Sequence, residues 1–135
     1  MKLSNTSVRV LKRLIATFYV SALVVQLLVV LKVIPFDWVN GGMSKTYEIQ
    51  LVQSLVSLVI ISALFRFVWR LLCQDGNVKK WKLRALYAIT AFWFLGLLMQ
   101  IAGTEFERYF LSFSLLLGVV SHGILVSRIR STINL

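Results

Sequence analysis

Apolar positions fall into four long runs, and polar residues collect in short stretches between them. The runs extend from Leu14 to about Ile34, from about Ile49 to Trp69, from Ala85 to Gly103 and from Tyr109 to Ser127. Each covers roughly 28–32 Å as an α-helix, enough for the hydrocarbon of a bilayer. Leu, Val, Ile and Phe fill them, so β-propensity is not low. Length without turn residues decides for helix. Lipid admits only helices and closed barrels, and the strict alternation of a barrel strand is missing. The pattern predicts an all-α polytopic membrane protein, four transmembrane helices in an up-down-up-down bundle, as one domain over residues 1–135. The first run exceeds the length of a signal-peptide core and no small-residue cleavage site follows it, so it is expected to stay as an anchor.

Composition strengthens this reading. Hydrophobic residues make up 59% of the 135 and charged residues 15%, far from the balance of a soluble domain. A soluble chain this short has too little interior for so much apolar surface. The net charge of +10 would ordinarily point to nucleic acid, but the placement of the charges points elsewhere. Lys2, Arg9, Lys12 and Arg13 precede the first run; Arg66, Arg70, Lys79, Lys80, Lys82 and Arg84 flank the second connection; Arg128 and Arg130 follow the fourth run. Asp37, Glu48, Glu105 and Glu107 lie in or beside the other two connections. By the positive-inside rule, both termini and the middle connection are cytoplasmic. The expected location is the plasma membrane of a bacterium, with multiple spans, and no nucleic-acid partner.

The extracytoplasmic stretch "VIPFDWVNGGMSKTYEIQ", Val33 to Gln50, holds the chain's single proline. Pro35 is expected to end the first helix. Asn40, Gly41 and Gly42 supply a reversal with positive φ. Thr46 caps the second helix, with Glu48 in its first turn. Trp38 and Tyr47 suit the headgroup region. At about 14 residues the connection is longer than a bend needs, so it is expected to fold over the end of the bundle with Trp38 packed there. In "GTEFERY", Gly103 is expected to close the third helix in the left-handed conformation, and Thr104 with Glu107 matches a capping box. The cytoplasmic connection offers an Asp75-Gly76 turn, an Asn77 cap, and a basic patch of Lys79, Lys80, Lys82 and Arg84 around Trp81. Such a patch draws anionic lipid headgroups or an acidic partner.

Polar and small residues recur at helical spacing inside the runs. Gln50, Gln53, Ser54 and Ser57 share a face of the second; Gly96, Gln100 and Gly103 one of the third; Ser114, Gly118 and His122 one of the fourth. Thr17 and Ser21 share a face of the first, with Gln26 on another. These stripes read as packing seams or as the walls of an outward polar cavity, with Gln53, Ser57, Gln100, Ser114 and His122 as its candidate ligand residues. His122 is the titratable group deepest in a run. No acid or base lies at its depth to relay a proton, and a neutral histidine bonded to a Ser or Thr of a neighbouring helix is expected. Cys73, beside Arg70, is either a plain interfacial cysteine or one open to acylation. No catalytic, metal or cofactor motif occurs.

"PFDWVNGG" and "GTEFER" resemble the corresponding loops of small four-span bacterial membrane proteins that have no assigned activity. The likeness is carried by Pro35, Trp38, Asn40, Gly41, Gly42, Phe106 and Glu107. It implies a four-helix fold and no functional residue. Two functions are consistent with the sequence. One is a non-enzymatic accessory, regulatory or immunity-type partner, binding a membrane protein or a second copy of itself. The other is a small-molecule or lipid binding or transport protein with its cavity between the second, third and fourth spans.

Overall fold

The computed structural model describes residues 5–74 and 78–133. The Asp75-Gly76 turn, Asn77 and Lys2 lie outside the described residues. Four helices follow one another: α1 (Asn5–Val30), α2 (Tyr47–Cys73), α3 (Lys80–Ile101) and α4 (Ser112–Ile133). All four are long and apolar enough to cross a membrane, and no strand occurs among the described residues. All four begin or end beyond their apolar runs. Arg9, Lys12 and Arg13 belong to α1, Arg70 to α2, and Lys80, Lys82 and Arg84 to α3. Lys and Arg are good helix formers, so the apolar run marks the thickness of a hydrocarbon layer while the helix continues past it.

The first helix does not end at Pro35. It stops at Val30, and Lys32 turns into the left-handed region with φ 59°. The Lys32 amide donates to the Val29 carbonyl and the Val33 amide to Leu28, the paired bonds of a Schellman cap. A left-handed lysine costs about 1 kcal/mol. Tyr47 offsets this cost: its hydroxyl donates to the Val30 carbonyl, and the Lys32 ammonium lies 4.2 Å from its ring centre. The third helix likewise ends without a left-handed Gly103; among the described glycines, positive φ is confined to Gly41 and Gly42. Instead the Arg108 guanidinium donates to the free carbonyls of Ile101 and Gly103. Gly103 is small for another reason: a Cβ there would strike the Glu107 carboxylate.

In this bundle α1 packs against both α2 and α4, and α3 packs against α4. Leu11, Ile15 and Phe18 line one side of α1 at helical spacing and are buried. Between α1 and α4 the contacts run in opposite chain directions: Phe18 meets Gly118, while Ser21 meets Ser114, the two hydroxyls 2.6 Å apart. A Cβ on Gly118 would sit 2.6 Å from the Phe18 ring. Lipid tails are as apolar as these side chains, so close packing, not exclusion of water, holds such helices together. Before α4 stands one wide turn of π-helix, Glu107–Leu111, in which the Ser112 amide and hydroxyl both donate to the Glu107 carbonyl.

The seam gives a prediction with an internal control. Gly118→Ala forces the buried Phe18 ring to move and should lower unfolding stability in detergent by about 1–3 kcal/mol. Gly123→Ala meets nothing within 4 Å and should be neutral or stabilising by up to about 1 kcal/mol. Equal effects at the two glycines would overturn the seam.

Candidate functional site

At one end of the bundle the connections after α1 and after α3 are locked together. The first contains a turn at Phe36–Trp38 and a second at Asn40–Gly42, where all three residues have positive φ between 54° and 66°. This places the Gly41 amide 2.9 Å from Glu107 Oε2. The same oxygen accepts from the Thr104 amide at 3.0 Å, while the Glu107 amide donates to Thr104 Oγ1 at 3.3 Å. The expected capping box is therefore present, and it carries a third donor from a distant connection. Thr104 Oγ1 in turn donates to the Trp38 carbonyl at 2.6 Å. Glu107 is only 4% exposed, and a buried carboxylate is tolerated where charge-assisted hydrogen bonds replace its hydration. Trp38 packs on Phe106, with ring centres 5.6 Å apart, and Phe106 stacks on Phe110. The segment does fold over the end of the bundle.

A second set of bonds holds the same connection to α2. Asn40 Nδ2 donates to Gln50 Oε1 and Gln53 Oε1, and Ser44 Oγ reaches the same two oxygens. Gln50 Nε2 donates to Ser54 Oγ at 3.0 Å, and both residues are fully buried. Thr46 caps α2 through the Ile49 amide, as its position predicts.

His122 is fully buried on α4. Its Nδ1 lies 2.7 Å from the Gly118 carbonyl and its Nε2 lies 3.0 Å from Tyr19 Oη. A carbonyl only accepts, so Nδ1 carries a proton toward Gly118, and Nε2 pairs with the tyrosine hydroxyl. Both nitrogens of the imidazole are used. The partner is a tyrosine, not the serine or threonine expected. Phe18, Phe65 and Trp93 surround the pair: Phe65 stacks on Tyr19 with ring centres 5.0 Å apart, and Phe18 stands perpendicular to the imidazole at 5.8 Å.

The sequence-derived candidates thus enter separate networks. Gln53 serves the connection after α1, Ser114 bonds Ser21, and His122 bonds Tyr19. Ser57 is half-buried on α2. Gln100 Oε1 is buried on α3 and, like Gln26 Oε1 and Trp93 Nε1, has no hydrogen-bond partner among the described residues. In the basic patch Lys79, Lys80, Trp81 and Arg84 are exposed, while Lys82 donates to Gln74 Oε1 at 2.9 Å. Cys73 is exposed with a free thiol. Tyr19 and Ser44 escaped the sequence reading. A hydroxyl inside an apolar run needs a buried partner, and that rule was the signal available for Tyr19.

Glu107→Ala should release the Gly41 and Thr104 amides together, costing about 2–4 kcal/mol for two charge-assisted bonds to backbone. Hydrogen exchange at Gly41 should accelerate as much as at Thr104; exchange confined to Thr104 would show that Glu107 serves only its own helix. Comparison with known proteins adds no analogue to this arrangement: no family model, curated protein or solved structure matches the chain.

Proposed function

We propose that this chain is a non-enzymatic protein of a bacterial cytoplasmic membrane, acting as an accessory, regulatory or immunity-type partner through helix and loop contacts. One observation carries the reading. His122, Tyr19, Ser21, Ser114 and Glu107 are interior groups suited to acid–base or nucleophilic work, and each is bonded to another group of the protein. What remains available is surface: a connection held rigid by its own hydrogen bonds, and a basic patch suited to anionic headgroups. The helices run up-down-up-down with both termini in the cytoplasm. The charge distribution supports this orientation, because the two interlocked connections hold or adjoin Asp37, Glu48, Glu105 and Glu107, while basic residues gather elsewhere.

A second reading, a binding or transport protein with an outward polar cavity between α2, α3 and α4, draws support from the unpartnered Gln100 oxygen. A buried acceptor without a donor costs about 1–3 kcal/mol, and a ligand donor would recover it.

Three measurements test these readings. In mild detergent the protein should purify with a stoichiometric partner or as a homo-oligomer. Met43→Glu, at a position 73% exposed, should weaken that association without changing the melting temperature; a strictly monomeric protein would overturn the first reading. For orientation, a membrane-impermeant maleimide should label Lys45→Cys in a Cys73→Ser background from outside intact cells, and native Cys73 only after permeabilisation. The reverse pattern would overturn the orientation. Gln100→Leu should raise stability by about 1 kcal/mol, because it removes an unsatisfied oxygen; a fall accompanied by loss of co-purifying small molecule would favour the cavity.

A further inference from the structure

Where the two connections meet, they border an open pocket of about 480 Å³. Its aromatic walls are Trp38, Phe106, Tyr109 and Phe110, and its polar side is made by Asp37, Glu105 and Thr104. The three rings of Trp38, Phe106 and Phe110 form a row at spacings of 5.6 and 5.5 Å. We propose that this cavity binds an organic ammonium group, held between the carboxylates of Asp37 and Glu105 and the faces of the aromatic rings.

Three observations support the assignment. First, the chain carries 15 basic residues and only 5 acids, yet two of those acids border one cavity. Second, neither carboxylate has a hydrogen-bond or ion-pair partner among the described residues, although cations are abundant. The basic residue nearest Glu105 in sequence, Arg108, spends its guanidinium on the carbonyls of Ile101 and Gly103, and the one nearest Asp37, Lys32, lies over the Tyr47 ring. Third, Asp37 and Glu105 come from different connections. The bond from Thr104 to the Trp38 carbonyl ties together the two connections that carry them. An aromatic belt at a headgroup region needs no carboxylates. A cation does use both: the negative ring faces attract it, and an unpaired carboxylate supplies the charge. The rings also offer contact to methyl or alkyl substituents, which favours an alkylated ammonium over a metal ion, whose hydration shell rings replace poorly. Such a group comes either as a free amine in solution or as the headgroup of a choline or ethanolamine lipid.

The full chain in nanodiscs of phosphatidylglycerol, which has no ammonium, should bind radiolabelled choline saturably. It should bind 3,3-dimethyl-1-butanol, the neutral isostere, at least about tenfold more weakly, since only the charge differs. Asp37→Asn combined with Glu105→Gln should weaken choline binding by at least about tenfold. Both side chains are exposed, so the melting temperature should hold. Trp38→Leu should weaken binding in the same direction. In mixed nanodiscs of phosphatidylglycerol and phosphatidylcholine, native mass spectrometry identifies the source. Choline lipid retained over phosphatidylglycerol, and lost in the double variant, assigns a lipid headgroup. Choline binding without such retention assigns a free amine. Equal affinity for choline and its isostere overturns the proposal, as does choline binding and lipid retention unchanged in the double variant.

Discussion

One carboxylate oxygen joins the connection after α1 to the connection after α3. Glu107 Oε2 accepts amide protons from Thr104, three residues away, and from Gly41, 66 residues away. A carboxylate this buried would be costly if left bare, so its partners are constrained. Gly41 and its neighbours adopt positive φ so that an amide faces the oxygen. Gly103 stays without a Cβ so that the carboxylate fits. Thr104 turns its hydroxyl to the Trp38 carbonyl and sets the position of the aromatic row. The local rules of a helix start and the long-range folding of a connection thus meet in a single acceptor.

The middle of the bundle follows a different economy. Between apolar helices in lipid there is little gain from burying one more leucine, and shape and polar satisfaction decide which faces meet. Gly118 lets Phe18 approach the backbone of α4, and that approach brings Tyr19 within reach of His122. The histidine is held at both nitrogens, and aromatic rings close around it. Such a pair fixes the relative position of two helices, since sliding either by one residue would leave a buried donor and acceptor bare.

Much of this was readable in the sequence, and what was not has physical causes. The four helices followed from run length, the capping box from Thr104 and Glu107, and the reversal from Asn40-Gly41-Gly42. The seam of Ser114, Gly118 and His122 followed from spacing by four. Helix ends were read less well. Pro35 is a strong local signal, but Tyr47 stabilises an earlier stop through contacts 15 to 17 residues away in sequence. A glycine after a helix usually serves the backbone, whereas at Gly103 its size is what matters. The Gly41 donor to Glu107 and the tyrosine partner of His122 are long-range contacts, which no window of neighbouring residues contains.

The wide turn at Glu107–Leu111 has a consequence for rotation. Seven residues separate Glu107 from Ser114, which in an unbroken α-helix is almost two full turns and would stack the two on one side. Glu107 would then sit above the stripe that faces α1. The π-turn takes up one extra residue, worth about 100° of rotation. It therefore uncouples the azimuth of the helix's first turn from that of its body. The carboxylate answers to the connections, the stripe answers to α1, and one surplus residue lets a single helix keep two phases.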